Sequence, residues 1–368
     1  MPLVPIYIKN LAPYQAGKPA NELAGARIVK LDSNENPLGP SPRALAAARQ
    51  SLGEAHRYPD QSATELRALL AKRFDVRLEN VITGAGSEGI MSTIMRTFLC
   101  DDDELISARG TFIGFRVLAD ASGRRTHWVP MKDYRYDLPR MAVAINENTK
   151  IIYLANPDNP TGTYFTIPEF DAFMALVPER VVVLLDEAYF EYAQGRSDYP
   201  DSMHYRYDNV ITLRTFSKAH GLAGLRVGYG FAYDELIGNL LKVKLAFEPS
   251  RPALAAALAA LEDREHLEAT LESTRRGMER LTQAFHDLGL DCIPSAANFV
   301  TLILPTAKKA AGLVAGLHEQ GVFVRHLAAF GWPELVRVTV GSEEENRYLV
   351  TALSGEPFIK DTHLDTIH

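Results

Sequence analysis

The sequence lacks most features of secreted, metal-binding or membrane proteins. Its 368 residues include only two cysteines, Cys100 and Cys292, and their separation matches neither a disulfide framework nor a metal site. No apolar run approaches the roughly 18 residues of a membrane span, and the N-terminus lacks the basic and apolar layout of a signal peptide. We therefore expect a cytoplasmic protein with no bound metal and no membrane partner.

Clusters of basic residues that contact nucleic acid are also missing. The formal net charge is -7 and the isoelectric point is near 5.8, which argues against DNA or RNA as a partner. Low-complexity tracts and repeats are absent, and a hydrophobic content of 46% is typical of a globular protein. A chain of this length exceeds the size of most single cores, which favours two domains or one large α/β domain with a smaller annex.

Apolar, β-branched runs of strand length alternate with helical stretches over the first part of the chain. The strand candidates are 80–83, 150–155, 180–185 and 209–214, and residues 64–74 have leucines at helical spacing. This alternation predicts an α/β fold with a parallel sheet covered by helices on both faces.

The composition changes from about Tyr233 onward. Long Ala- and Leu-rich helical stretches come first, and strand candidates follow at 298–304, 321–325 and 336–340. We therefore predict an N-terminal arm that contributes to the small domain (1–40), a large domain (41–245) and a small α+β domain (246–368).

Ligands of open parallel sheets bind at the carboxyl ends of the strands. Four predicted strands end in polar segments, namely GAGSEG (84–89), NPDNPTG (156–162), DEAY (186–189) and TFSK (215–218). These segments should therefore meet at one edge of the sheet.

The segment GAGSEG satisfies the G-x-G-x-x-G pattern between a strand and a helix, so a dinucleotide site is one interpretation. The acidic residue expected after the next strand is missing, because that strand ends in Ala-Arg-Gly (108–110). The glycines and the start of the following helix still favour a bound phosphate group.

Two ionisable residues stand at the ends of the third and fourth strands. Asp186 follows a buried apolar run, where its charge needs a cation such as a protonated pyridine nitrogen. Lys218 is a candidate for a lysine of lowered pKa that forms a Schiff base with a carbonyl group. Nearby, Thr215, Ser217 and Arg226 offer hydrogen-bond donors for a phosphate dianion.

In the same order and with similar separations, RYPD (57–60), NPDNPTG, DEAY and TFSKAHGLAGLRVGY (215–229) resemble fold-type-I aminotransferases of the histidinol-phosphate branch. GVFVRHL (321–327) and VRVTVGSEEEN (336–346) also fit, so the resemblance runs from about Tyr14 to Ala352. It implies a large domain with a mostly parallel seven-stranded sheet, a smaller α+β domain and the cofactor pyridoxal 5'-phosphate.

The resemblance implies a role for each matching residue. Lys218 would bond to the cofactor and move a proton at the substrate α-carbon, while Asp186 would pair with the ring nitrogen. Asn159 and Tyr189 would contact the ring oxygen. Phe112 would stack on the ring, where many relatives have tyrosine, so a hydroxyl contact is lost.

Further residues are implied for the phosphate, the substrate and a second subunit. The phosphate would contact Gly86, Ser87, Glu88, Thr215, Ser217 and Arg226, together with Tyr58 from the partner subunit of a homodimer. Relatives often have Gly-Ser-Asp-Glu at 86–89, but the backbone donors are the same here. The implied substrate-binding residues are Asn36, Arg325, Arg337 and, from the partner's arm, Tyr14.

The implied reaction transfers the amino group of histidinol phosphate to 2-oxoglutarate, a step of histidine biosynthesis. An aromatic or broad-specificity aminotransferase remains an alternative, since FEPSRPA (247–253) departs from many biosynthetic members. A threonine-phosphate decarboxylase or a non-catalytic cofactor-binding regulator would share the fold. We expect no regulator, because the chain offers no N-terminal segment for a DNA-binding head.

Overall fold

A computed structural model of the protein describes residues 3–13, 27–205 and 207–355. Tyr14, expected in the substrate site, and the tail 356–368 lie outside the described residues. The helices are α1 (Ile6–Lys9), α2 (Pro42–Ser51), α3 (Thr64–Arg73), α4 (Gly86–Phe98), α5 (Ile113–Ala121), α6 (Leu138–Val143), α7 (Ile167–Met174), α8 (Phe190–Ala193), α9 (Ser202–Tyr205), α10 (Asp234–Val243), α11 (Arg251–Glu262), α12 (Arg264–Asp287), α13 (Ala307–Glu319) and α14 (Glu343–Ser354).

The strands form three sheets. They are β1 (Val29–Lys30), β2 (Val81–Gly84), β3 (Glu104–Ala108), β4 (Arg125–Val129), β5 (Thr149–Ala155), β6 (Val182–Asp186), β7 (Val210–Thr215), β8 (Gly228–Phe231), β9 (Asp291–Ile293), β10 (Phe299–Ile303), β11 (Val322–Phe323), β12 (Arg325–His326) and β13 (Leu335–Thr339). Among these described helices, none is both long and apolar enough to cross a membrane.

The largest sheet has seven strands in the order β2-β8-β7-β6-β5-β3-β4. Strand β8 runs antiparallel to β2 and β7, and the remaining neighbours are parallel. The predicted mostly parallel seven-stranded sheet is confirmed. Because β2, β5, β6 and β7 point the same way, their carboxyl ends lie at one edge.

Helices cover both faces of this sheet, because alternate residues of its central strands pack on opposite sides. Ile151 and Tyr153 join a cluster with residues of α4, α5 and α10. Ile152 and Leu154 join another with residues of α6 and α7. All five residues of β6 are buried, so Asp186 ends a strand with no water-facing side.

A second unit contains the antiparallel sheet β12-β13-β10-β9 and the parallel pair β1–β11. Its apolar core combines residues of these strands with residues of α12, α13 and α14. Val29 and Leu31 belong to this core, so residues from the N-terminal part of the chain help to build it.

Helix α11 packs against α2, and Ala253, Ala256 and Ala257 share a core cluster with Leu66 and Leu70 of α3. This packing places α11 with the seven-stranded sheet. The limits 1–40, 41–245 and 246–368 remain a prediction, and we infer that a boundary near Asp263 fits the packing better than one after residue 245.

Candidate active site

Two adjoining cavities lie at the carboxyl edge of the seven-stranded sheet, and Phe112, Asn159 and Lys218 line both of them. The inner cavity, of about 140 Å³, is lined by Ser87, Glu88, Phe112, Ala155, Pro157, Asn159, Asp186, Ala188, Tyr189, Thr215, Ser217, Lys218, Ala223 and Arg226. The outer cavity, of about 120 Å³, is lined by Asp32, Ser33, Asn34, Phe112, Ile113, Asn159, Lys218, Arg325, Phe330 and Arg337.

Lys218 stands three residues beyond the end of β7 and reaches the boundary between the two cavities. Its Nζ donates a hydrogen bond to the carbonyl of Ser33 at 3.3 Å and lies 5.8 Å from the centre of the Tyr189 ring. Burial lowers the pKa of Lys218 to about 8, and the nearby charge of Arg337 acts in the same direction. A substantial fraction of this amine is therefore neutral near pH 8, as a nucleophile or base requires.

Asp186 ends β6 and forms part of the inner cavity. Its Oδ2 accepts a hydrogen bond from the Tyr153 hydroxyl at 2.9 Å, and its Oδ1 accepts one from the Ala188 N–H at 3.2 Å. Burial raises the pKa of Asp186 to about 7, although both hydrogen bonds oppose that rise. A cation placed in the cavity would stabilise the charged carboxylate.

Tyr189 and Asn159 both line the inner cavity. The Tyr189 hydroxyl accepts a hydrogen bond from the Asn34 amide at 2.8 Å, and burial raises its pKa to about 12. The Asn159 amide oxygen accepts a hydrogen bond from Arg337. The tyrosine therefore stays protonated and can donate to an oxygen in the cavity.

The start of α4 and the segment after β7 form the polar end of the inner cavity. None of the described side chains caps the first turn of α4, so its N–H groups remain available to an anion. Arg226 donates to the Ser217 hydroxyl at 3.3 Å, and Ser217 also receives a hydrogen bond from Thr215 at 2.9 Å. This set of donors suits a phosphate group.

Two glycines keep this polar end open. Gly86 has a φ of 75°, and a Cβ there would lie 2.6 Å from an Arg226 nitrogen. A Cβ on Gly228 of β8 would lie 2.5 Å from the Ser87 nitrogen. Both positions therefore need glycine for the guanidinium and the start of α4 to approach each other.

The outer cavity brings positive charges together. Arg325 on β12 and Arg337 on β13 are directly opposite each other in the antiparallel pair, so both side chains leave the same face of the sheet. Arg337 also donates to the carbonyl of Asp32 at 2.7 Å. The Asp32 carboxylate lines the same cavity. Even so, cations outnumber acids around the cavity, which favours an anionic ligand group.

The side chains that line the inner cavity suit a phosphorylated pyridine for three separate reasons. The lining of the inner cavity combines anion donors, a carboxylate whose pKa is raised by burial and a lysine whose pKa is lowered by burial. Phe112, at the start of α5, supplies an aromatic side chain at the boundary of both cavities. The residues present are therefore suited to pyridoxal phosphate.

The structure does not bring every predicted residue to the cavities. Asn36 lines neither; its amide donates to the Ala219 carbonyl at 3.0 Å and to the Thr270 hydroxyl at 3.1 Å. Its role is to fix the loop before α2, and Asn34 takes the cavity position instead. Tyr58 is 75% exposed and stacks on Phe247 with ring centres 4.2 Å apart.

Sequence reasoning missed three residues that act on the site. Tyr153 donates a hydrogen bond to Asp186, and Asn34 donates one to Tyr189. The carbonyl of Ser33 accepts a hydrogen bond from Lys218. The segment 33–36 offers only its polar composition as a signal, and Tyr153 is one apolar-looking residue in a buried strand. None of the three stands directly after a predicted strand.

Comparisons with known proteins agree with this geometry. The family model described as aminotransferase class I and II matches residues 26–353. A histidinol-phosphate aminotransferase 2 of Pseudomonas fluorescens is 43% identical over 94% of this chain and 95% of its own length. A histidinol-phosphate aminotransferase 1 of Nitrosococcus oceani is 42% identical over 94% of each chain.

Solved structures give the same result. The crystal structure of histidinol-phosphate aminotransferase from Sinorhizobium meliloti in complex with pyridoxal-5'-phosphate has a TM-score of 0.90 and 30% identity, and the match covers 98% of each chain. An aspartate aminotransferase of Thermus thermophilus, 24% identical, has a TM-score of 0.83 over 96% of this chain and 99% of its own, which supports the fold alone. The expected family is confirmed: this chain belongs to the class I and II aminotransferases.

Proposed function

We propose that this chain is a pyridoxal-phosphate-dependent aminotransferase that takes histidinol phosphate as amino donor and 2-oxoglutarate as acceptor. The observation that supports the donor most directly is the pair Arg325 and Arg337, which face each other across β12 and β13 beside Lys218. Like charges placed directly opposite in a sheet repel each other, so an anionic substrate group between them is stabilising.

The inner cavity would hold the cofactor. When bound, pyridoxal phosphate supplies an electron-poor ring that stabilises negative charge developing at the substrate α-carbon. Ser217, Arg226 and the first N–H groups of α4 would hold its phosphate, Asp186 would pair with the ring nitrogen, and Phe112 would pack against the ring. Tyr189 would donate a hydrogen bond to the ring oxygen.

Lys218 carries the proton transfers of this proposal. Its Nζ accepts the proton that leaves the substrate α-carbon and returns a proton later in the cycle. Because burial lowers the pKa of Lys218 to about 8, the amine can both accept and donate protons near physiological pH. The positive charge of Arg337 supports this by disfavouring the charged form of the amine.

Assembly and location belong to the same proposal. We infer a homodimer in which Tyr58 and Tyr14 complete the partner's site. Its support is the exposure of the Tyr58 and Phe247 aromatic stack and the absence of Tyr58 from the lining of its own subunit's described cavities. We propose that the protein is located in the cytoplasm, because its proposed role is biosynthetic and its two cysteines are free.

A substrate panel on the purified protein tests the donor. With 2-oxoglutarate as acceptor, kcat/KM for histidinol phosphate should exceed that for phenylalanine or tyrosine by about tenfold or more, the value of one charge-assisted contact. Equal or better rates with the aromatic amino acids would favour the broad-specificity alternative. Release of carbon dioxide would instead indicate a decarboxylase.

Arg325→Gln sharpens that panel. Removing this guanidinium should raise KM for histidinol phosphate about tenfold and KM for phenylalanine by less, because a phosphate dianion carries more charge than the phenylalanine carboxylate. Arg280→Gln, which removes an exposed arginine that pairs with Glu343 and lines neither cavity, serves as the matched control. An equal loss for both substrates would contradict the phosphate role of Arg325.

A further inference from the structure

We propose that Tyr153 is a positioning residue that holds the Asp186 carboxylate charged and oriented toward the cofactor ring nitrogen. This inference rests on the proposed function, because it concerns how Asp186 performs its part. Tyr153 lies inside β5, the strand next to β6, and its hydroxyl reaches the Asp186 carboxylate although Tyr153 lines neither cavity.

The hydrogen bonds fix the plane of the carboxylate. The Tyr153 hydroxyl donates to Oδ2 at 2.9 Å, and the Ala188 N–H donates to Oδ1 at 3.2 Å. A carboxylate oxygen can accept two hydrogen bonds, so each of these oxygens retains one acceptor position. Asp186 lines the cavity, and these remaining positions are available to a donor bound there.

A phenol suits this task better than a cationic side chain. Burial and the nearby Asp186 raise the pKa of Tyr153 well above its ordinary value, so the hydroxyl remains a donor throughout the physiological range. It stabilises the anion without neutralising it. An arginine or lysine at the same place would satisfy the carboxylate and compete with a cationic ring nitrogen.

Packing holds the phenol in place. The Tyr153 ring stacks on Phe115 of α5, with ring centres 4.0 Å apart and planes 7° from parallel. Both side chains are fully buried. The core between the sheet and α5 therefore determines the position of the hydroxyl. Because the hydroxyl cannot move with the carboxylate, its hydrogen bond orients the carboxylate.

Other ionisable groups also act on Asp186, and a pH experiment must account for them. Glu187, the next residue, opposes its charged form, and Lys218 favours it. The hydroxyls of Tyr136 and Tyr189 lie close enough for Asp186 to raise their pKa values. Tyr153→Phe leaves these four groups in place, so a difference from the wild type reports on the hydroxyl alone.

Equilibrium binding of pyridoxal phosphate to the apoprotein from pH 5.5 to 9 tests the inference without measuring activity. In Tyr153→Phe the dissociation constant near pH 7 should rise about tenfold, and the pH below which affinity falls should move upward by roughly one unit, because a charge-assisted hydrogen bond is lost. An analogue with carbon in place of the ring nitrogen should bind variant and wild type equally, since it has no partner for the carboxylate.

Tyr199→Phe is the matched control. Tyr199 is a buried tyrosine whose hydroxyl donates to the Asn156 carbonyl at 2.6 Å, and its variant should keep the wild-type pH profile. If Tyr153→Phe does not fold, Phe115→Leu replaces it, since loosening the stacked ring should shift the profile in the same direction by a smaller amount.

Four outcomes are decisive. An unchanged profile in Tyr153→Phe, or an equal loss of affinity for pyridoxal phosphate and the carbon analogue, overturns the inference. Selective loss for pyridoxal phosphate supports it. A wild-type apoprotein that fails to bind pyridoxal phosphate overturns the proposed function itself, so the two failures are distinguishable.

Discussion

Two adjacent carboxylates at the end of β6 have opposite surroundings. Asp186 faces the inner cavity and receives hydrogen bonds from a phenol and a backbone amide. Glu187 points away from it and accepts from Arg214 Nε at 2.8 Å, and both of these side chains are fully inaccessible to solvent. Asp201 accepts from the same guanidinium at 2.9 Å.

The different surroundings of Glu187 and Asp186 suggest different tasks, with Glu187 serving the stability of the fold and Asp186 serving the site. Burial alone would lower the pKa of Arg214, but Glu187 and Asp201 reverse this effect and raise it, so the guanidinium stays charged. Its carbon centre also lies 3.3 Å from the centre of the Phe190 ring. Away from the cavity, the buried Arg214 guanidinium contacts the carboxylates of both Glu187 and Asp201, whereas the cavity side keeps a carboxylate suited to a cationic ligand.

Glu187→Gln should produce the largest change in stability. It leaves Arg214 buried with Asp201 as its remaining acid, and breaking a buried ion pair in this way costs about 3–5 kcal/mol. Chemical denaturation of the variant and the wild type measures the difference in the free energy of unfolding.

The same variant should retain its chemistry. Per folded, cofactor-loaded molecule, kcat should stay equal to or above the wild-type value, because Glu187 lines neither cavity and the loss of its charge favours the charged form of Asp186. A variant of normal stability, or one that folds but is inactive, would contradict the assignment of Glu187 to stability and Asp186 to catalysis.

Asp186→Asn should show the reverse pattern. An amide cannot pair with a protonated ring nitrogen, so kcat/KM should fall about 10- to 100-fold, the value of a hydrogen bond between charged groups. The free energy of unfolding of the apoprotein at pH 8 should be equal to or above the wild type. A large loss of stability would contradict our assignment.

The pH dependence of this variant follows from the raised pKa. Burial raises the pKa of Asp186 to about 7 in the folded apoprotein, against an ordinary value of 3.8, so between these values the folded state holds the extra proton. Wild-type stability therefore falls as pH rises through this window, and Asp186→Asn should lack that part of the slope. Glu191→Gln, a change at a buried carboxyl outside the cavities whose pKa is also raised to about 7, should alter the slope similarly and leave activity unchanged.

The sequence predicted the residues on the cavity side of β6 but not the ion pair of Arg214 with Glu187. Strand periodicity placed Asp186 and Lys218 at the sheet edge, and both lie within one residue of the expected position relative to β6 and β7. Arg214 appeared only as the last residue of a strand candidate, because a single arginine in an apolar run carries no pattern. Its partners are distant in sequence, and only the fold brings them together.

Contacts between distant segments account for the other omissions. Asn34 meets Tyr189 across 155 residues of sequence, and Tyr153 meets Asp186 through the register of β5 and β6. The sequence analysis named Asn36 but not Asn34, and in the structure, where Asn34 has a φ of 55°, the two side chains have different neighbours. The antiparallel strand β8 was missed because its glycines weaken the strand pattern.

The most direct test of the account is to identify the lysine that bonds to the cofactor. Protein loaded with pyridoxal phosphate is treated with borohydride, which makes the bond permanent, and its peptides are analysed by mass spectrometry. The account predicts a phosphopyridoxyl group on Lys218 and none on Lys244, a half-buried lysine whose pKa burial also lowers. A label on Lys244, or no label on Lys218, would contradict it.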